Sequence, residues 1–186
     1  MIENIFFDLA QIKRTGMNVI IGKTVRIRYP ELIEIGDNVI IDDFCYISTA
    51  LQLDSNIHIA AGCKLIGGKK ATISIGEFST LAPNVVLAAG SDDYSAGIAS
   101  PLVPTEFKGN VEIGEITLGR HCIIGANSTI LPNVHMADGS AVGAQTLVKT
   151  NLEPWHLYAG VPARLIRKRD RDRILHLEAA YRMSVK

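Results

Sequence analysis

An aliphatic side chain recurs every six residues along much of this chain. The beats are Ile35, Ile41, Ile47, Leu53, Ile59 and Leu65, then Ile75, Leu81 and Leu87, then Leu118, Ile124, Ile130, Met136, Val142 and Val148. Six is neither the helical period of 3.6 nor the strand period of two. It is the period of a chain that turns a corner every six residues. Three such sides close one coil, and stacked coils bury the recurring side chains along a common axis. The pattern predicts an all-β solenoid of about six coils. Gly or a short polar residue often follows the beat, as at Gly36, Asp42, Gly76, Gly119, Gly125 and Gly143. These positions are expected at tight corners, because such residues tolerate positive φ.

With 186 residues the chain suits one domain with a substantial core. Residues 1–16 read as a lead-in, 17–166 as the solenoid and 167–186 as a C-terminal segment carrying a short helix. That helix is expected over Asp170–Tyr181, with Ile174, Leu177 and Tyr181 on one face. Between Leu65 and Ile75 the register slips by four residues, through Gly67-Gly68-Lys69-Lys70, which reads as a small extra loop at a corner. A longer interruption, residues 90–112, separates Leu87 from Leu118. Insertions in repeat proteins map to loops and often to the binding face.

Charge narrows the partners. The 19 basic and 19 acidic residues cancel, which argues against nucleic acid or an anionic membrane. No apolar run approaches the roughly 20 residues of a membrane span. The N-terminus has an early acid and no basic stretch, so a signal peptide is not expected and the cytoplasm is. Cys45, Cys63 and Cys122 each fall four residues after a beat, where small side chains also sit, and are expected as buried free thiols.

The repeats, together with Val142-Gly143-Ala144-Gln145-Thr146-Leu147-Val148-Lys149 and Tyr158-Ala159-Gly160-Val161-Pro162-Ala163-Arg164, resemble the hexapeptide-repeat acyltransferases. The last five residues match that family's Gly-x-Pro-Ala-[Lys/Arg] signature, and the likeness covers roughly residues 17–167. It implies a left-handed parallel β-helix, a homotrimer, and acetyl-CoA bound in the groove between subunits, with no metal. Within the family, Asp92-Asp93-Tyr94-Ser95 looks like the loop of enzymes that acylate nucleotide-linked amino sugars in O-antigen and surface-polysaccharide biosynthesis. The galactoside and maltose O-acetyltransferases place a histidine just past this coil, where the present chain has Asp92.

That difference has chemical content. A sugar hydroxyl needs a base during attack, an effect worth roughly 10²- to 10⁴-fold. A neutral amine is already nucleophilic and needs chiefly to be positioned. The expected reaction is therefore acetyl transfer from acetyl-CoA to the amine of a nucleotide-linked amino-deoxysugar. Asp92 and Asp93 are the candidate catalytic carboxylates and His121 the alternative base. Ser91 and Tyr94 are candidate substrate contacts. Gly125, Ala126, Gly143 and Ala144 are small enough for pantetheine to approach, and Lys149, Arg164 and Arg167 lie where the family places phosphate contacts. Two other readings stay open: a sugar O-acetyltransferase with a histidine base, and a non-catalytic trimeric scaffold.

Overall fold

The computed structural model describes residues 8–185. Strands stack in parallel on three faces of a prism. The first face carries Val19–Ile21, Val39–Ile41, Ile57–Ile59, Thr80–Leu81, Ile123–Ile124, Ala141–Val142 and His156–Ala159, each paired in register with the next. On the second face lie Arg26–Ile27, Val86–Ala88, Thr129–Ile130 and Leu147–Val148; on the third, Ile33–Ile35, Glu115–Leu118 and His135–Met136. The strands Tyr46–Leu53 and Lys64–Ile75 run unbroken round the corner joining those two faces.

The solenoid makes about seven turns, one more than the beat predicts. The hydrophobic signal fades at both ends because an end coil has only one neighbour to pack against. Arg14–Thr15 already pairs with Glu34–Ile35, and Ile12 is buried beneath it. At the other end, His156–Ala159 continues the first face and then pairs antiparallel with Arg164–Lys168, which closes the stack.

The beat residues fill the axis, and none is more than 3% exposed. Small side chains complete each layer. Ser79 Oγ donates to the Gly119 carbonyl at 3.0 Å and Ser128 Oγ to that of Gly143 at 2.9 Å, so the buried hydroxyls are satisfied. Cys45, Cys63 and Cys122 are buried free thiols, and burial pushes the Cys122 thiol up to about 12. A thiol held neutral in this way packs as a small hydrophobe.

The corners work differently from the sequence expectation. Positive φ falls three residues after the beat, at Asn38, Phe44, Asn56, Phe78, Asn84, His121, Asn127, Asn133 and Gln145. The glycines directly after the beat are needed for space instead. A Cβ on Gly76 would lie 2.6 Å from the Gly119 carbonyl carbon, and one on Gly125 would lie 2.4 Å from the Ala144 nitrogen. Coils touch there, and any side chain would prise them apart. The four-residue slip bulges out at a corner inside one continuous strand, Lys64–Ile75: Thr49 pairs with Gly68 and Ala50 with Thr72, so residues 69–71 have no counterpart in that register, with Gly68 at φ +83°. Glycine supplies the positive φ that such a bulge requires.

The terminal helix spans Arg171–Ser184, three residues beyond the expected end, with Asp170 capping it by accepting from the Arg173 amide at 3.0 Å. It lies along the corner between the third and first faces. An asparagine ladder climbs that corner, Asn18 to Asn38 at 3.0 Å and Asn38 to Asn56 at 3.3 Å. Aromatic rings continue it: Phe78 stacks on His121 at 5.2 Å between centroids, and His121 meets Trp155 at 5.9 Å. Glu178 of the helix bonds His121 Nε2 at 2.7 Å and takes further bonds from Arg182 and Arg120.

Glu178 gives this clasp a pH dependence. Burial would raise its carboxyl, but bonds from Arg182 and His121 and the Arg120 charge outweigh burial and bring it to about 2, from an ordinary value of 4.5. A depressed carboxyl contributes stability that is complete above the unfolded value and lost as pH falls toward the folded one. Trp155 is the sole tryptophan and borders His121. Its fluorescence is expected to change between about pH 4.5 and 2 in the native chain and to lose that step in Glu178→Gln. The same step in both proteins would contradict the assignment.

Candidate active site

The inserted loop leaves the corner between the second and third faces, just after Val86–Ala88, and returns into Glu115–Leu118. Its base is a short antiparallel ladder, Gly90–Ser91 against Glu112–Ile113. Asn133, one coil on, accepts from the Glu115 amide at 3.3 Å and donates to Glu112 Oε1 at 2.8 Å, which ties the base to the body. Ile98 donates its amide to the Phe107 carbonyl at 2.9 Å further out.

The two adjacent carboxylates have different surroundings. Asp93 Oδ1 accepts from the Ser95 amide and hydroxyl, both at 2.9 Å, and from the Ala96 amide at 3.0 Å. Its Oδ2 accepts from the Asn110 amide at 2.9 Å, across the loop. These donors, Asn110 first and then Ser95 and Ala96, hold the Asp93 carboxyl well below the usual carboxylate range. Asp92 is exposed, and among the described residues its carboxylate takes no hydrogen bond. Ser91 is half-buried and Tyr94 is 94% exposed beside it. Ser91, Asp92, Asp93 and Tyr94 are thus together on one structured loop, with Asp92 exposed to solvent.

His121 is elsewhere. It belongs to the turn after Glu115–Leu118, on the next corner of the prism, and its side chain is 10% exposed between Phe78, Trp155 and Glu178. The expectation that His121 shares the loop's cleft therefore fails within one chain. Its spacing from the loop in sequence is short, but the coil turns a corner between them. The sequence also left Glu178, Phe78 and Arg169 unassigned. Arg169 donates to the His121 and Gly139 carbonyls at 2.8 and 2.6 Å and so belongs to the same clasp.

The small residues meet as expected. Gly125 and Ala126 stack on Gly143 and Ala144 at the corner after the first face. Ala159 follows in the next coil, 3.3 Å from a Cβ placed on Gly143, and Arg164 pairs with Ala159. Arg164 therefore stands at the end of that column. Lys149 follows Leu147–Val148 and sits on the neighbouring corner, a full face away. Arg167 pairs with Leu157 and lines a different groove of about 490 Å³ with Ile123 and Ala141. Among the described residues no group of three His, Cys, Asp or Glu could hold a metal ion.

The chain is 34% identical over 189 residues, 96% of its own length and 96% of the relative's, to a dTDP-4-amino-4,6-dideoxy-D-glucose acyltransferase of Escherichia coli. It belongs to the acyltransferases of nucleotide-linked amino sugars. Solved structures agree with that membership. A substituted form of AntD, an N-acyltransferase from Bacillus cereus in complex with dTDP-4-amino-4,6-dideoxyglucose and coenzyme A, superposes with a TM-score of 0.91 at 38% identity, covering 97% of this chain and 98% of that one. AntD in complex with dTDP and 3-hydroxybutyryl-CoA matches with the same score and identity over 98% and 99%. A comparison with protein-family models finds no match. An acyltransferase of this family is an enzyme, so the reading as a non-catalytic scaffold falls.

Proposed function

We propose that this enzyme transfers an acyl group from a coenzyme A thioester to the 4-amine of a dTDP-linked 4-amino-4,6-dideoxy sugar, with Asp92 as the group that orients the amine. The observation that carries the residue assignment is the Asp92 carboxylate, without a hydrogen bond among the described residues, beside an Asp93 carboxylate that takes four. The family relatives supply the substrate class: the names of two of them specify this amino sugar and one specifies coenzyme A as well.

The chemistry is simple. The amine nitrogen attacks the thioester carbon, an amide bond forms, and the carbon–sulfur bond breaks to release a thiol. An ammonium cannot attack, so one proton first leaves to solvent and frees the lone pair; a second leaves the nitrogen as the amide forms and ends on the departing sulfur. A carboxylate beside the amine accepts a hydrogen bond from it and aims its lone pair, which lowers the barrier by positioning. Ser91 and Tyr94 flank that point, which supports reading them as contacts to the sugar nucleotide. The column Gly125, Ala126, Gly143 and Ala144 leaves room for a linear chain of amides, ending at Arg164, a cation suited to phosphate.

Measuring thiol release from acetyl-CoA with dTDP-amino sugars tests the reading. Turnover with the amino sugar and none with its hydroxyl counterpart is the expected result; turnover only with the hydroxyl sugar would replace it by O-acylation, with a histidine sought as base.

Arg164→Ala is expected to weaken coenzyme A binding by roughly 10- to 150-fold, the worth of a charge-assisted contact of about 1.5–3 kcal/mol. Lys149→Ala, one face away, should weaken it less. Calorimetric affinities in which Lys149 matters and Arg164 does not would reverse the assignment.

A homotrimer accompanies this reading. Ile40 and Ile123 stand outward on the first face, each 39% exposed, and Ile98, Leu102 and Phe107 of the loop are more than half exposed. Apolar surface of this extent fits contact between copies, and it would bring one chain's loop toward another's column of small residues. Ultracentrifugation should give a mass near three times 20.2 kDa. An active monomer would refute it.

A further inference from the structure

We infer that Asp93 is a positioning residue, a staple that shapes the loop and thereby aims Asp92, and that its two partners Gly109 and Asn110 belong to the same device. The inference rests on the amine-orienting role proposed for Asp92.

Four donors converge on the Asp93 carboxylate, two from Ser95 and one each from Ala96 and Asn110, at 2.9–3.0 Å. Three of them are local and make the tight turn that aspartate commonly builds over the next residues. The fourth is different. Asn110 is 17 residues away, so this bond closes the outer loop on itself. The backbone is built for that closure. Gly109 has φ +69°, and a Cβ there would lie 2.5 Å from Asp93 Oδ2. A Cβ on Gly97 would lie 1.9 Å from the Lys108 carbonyl oxygen, so the two strands of the loop touch at this level. Only glycine fits either place.

Both Asp93 oxygens are engaged in this work, Oδ1 by three donors and Oδ2 by one. A carboxylate with four protein donors has little capacity left for a substrate amine. Those donors hold its pKa below the ordinary carboxylate value, so its charge persists further into acid than that of a free aspartate. Asp92 precedes it directly in the chain. When the Asp93 backbone is fixed, the Asp92 Cα is fixed too, and the carboxylate that bears on substrate starts from a set point. The arrangement places preorganisation in one residue and chemistry in its neighbour.

Two readouts separate this from a merely structural role and from direct catalysis by Asp93. The first needs no substrate. Lys108 is the only Lys or Arg between residues 90 and 113, and it is half-buried beside the staple. Trypsin should cut after Lys108 at least several-fold faster in Asp93→Asn than in the native enzyme, and likewise in Asn110→Pro, which deletes the donor and leaves both acids in place. The second is a double-mutant cycle on acyl transfer. Asp93→Asn is expected to lower kcat/KM for the amino sugar by roughly 10- to 100-fold, the cost of a misplaced group, with KM for acyl-CoA unchanged. Added to Asp92→Asn, it should cost less than about twofold more, because residues acting through one another are not additive. Full multiplication of the two effects would make Asp93 an independent catalytic group and overturn the staple. Unchanged cleavage at Lys108 in both variants would overturn it as well. Absence of acyl transfer to amino sugars in the native enzyme would instead sink the proposed function, while the proteolysis result still reports on the staple.

Discussion

Asp92→Asn is expected to lower turnover with the amino-sugar nucleotide by roughly 10²-fold or more while leaving coenzyme A affinity and oligomer mass unchanged. Asparagine keeps the shape and one acceptor oxygen but loses the charge. The loss falls at the low end of the range for a missing acid–base group, because an amine needs less help than a hydroxyl. The side chain is exposed and makes no bond within the described chain, so little stability is at stake. His121→Ala gives the contrast. It removes the ring between Phe78 and Trp155 and leaves Glu178 short of a donor. It should lower the melting temperature and cost little activity in protein that stays folded. Steady-state kinetics and thermal melts on both variants check the pair. If His121→Ala abolishes turnover and Asp92→Asn does not, the amine-orienting mechanism is wrong.

The contrast marks where sequence reasoning reaches its limit in this chain. The period of six identified the solenoid because every beat side chain does the same job, filling one axis. The same arithmetic accounts for the column Gly125, Ala126, Gly143 and Ala144, since residues 18 apart fall on one corner of neighbouring coils. It could equally have shown that His121, three residues past a beat, occupies the corner of Asn38, Asn56 and Phe78 rather than that of the loop. What the beat cannot reach is the irregular part. Two adjacent aspartates look identical in sequence, and only the fold of the loop engages one and frees the other. Ser95 and Ala96 lie close enough to Asp93 for a turn to be guessed, but Asn110 and Glu178 reach their partners across 17 and 57 residues without any periodic signal. Lys149 and Arg164 lie near each other at the end of the repeats, yet a face of the prism divides them.

Leu87→Ala is expected to cost about 2–5 kcal/mol, the range for deleting a fully buried leucine side chain and leaving a cavity. Leu87 is 0% exposed and pairs with Leu65 below and Ile130 above. A solenoid has no distant contacts to share the loss, because each coil touches only its neighbours. The cavity therefore opens in the coil from which the loop departs. Two bonds anchor that departure, the Ala89 amide to the Ile66 carbonyl at 2.7 Å and the Gly114 amide to the Ala89 carbonyl at 2.8 Å. Loosening them reaches Asp92 within three residues. The variant should thus lose activity at a lower temperature than it loses β-sheet signal, whereas Leu87→Met, close in volume, should cost less than about 1.5 kcal/mol and keep the two transitions together. Urea midpoints and activity melts at one fixed protein concentration measure both, since any association contributes to apparent stability. Coincident transitions in Leu87→Ala would show that the loop's set point does not depend on the coil beneath it.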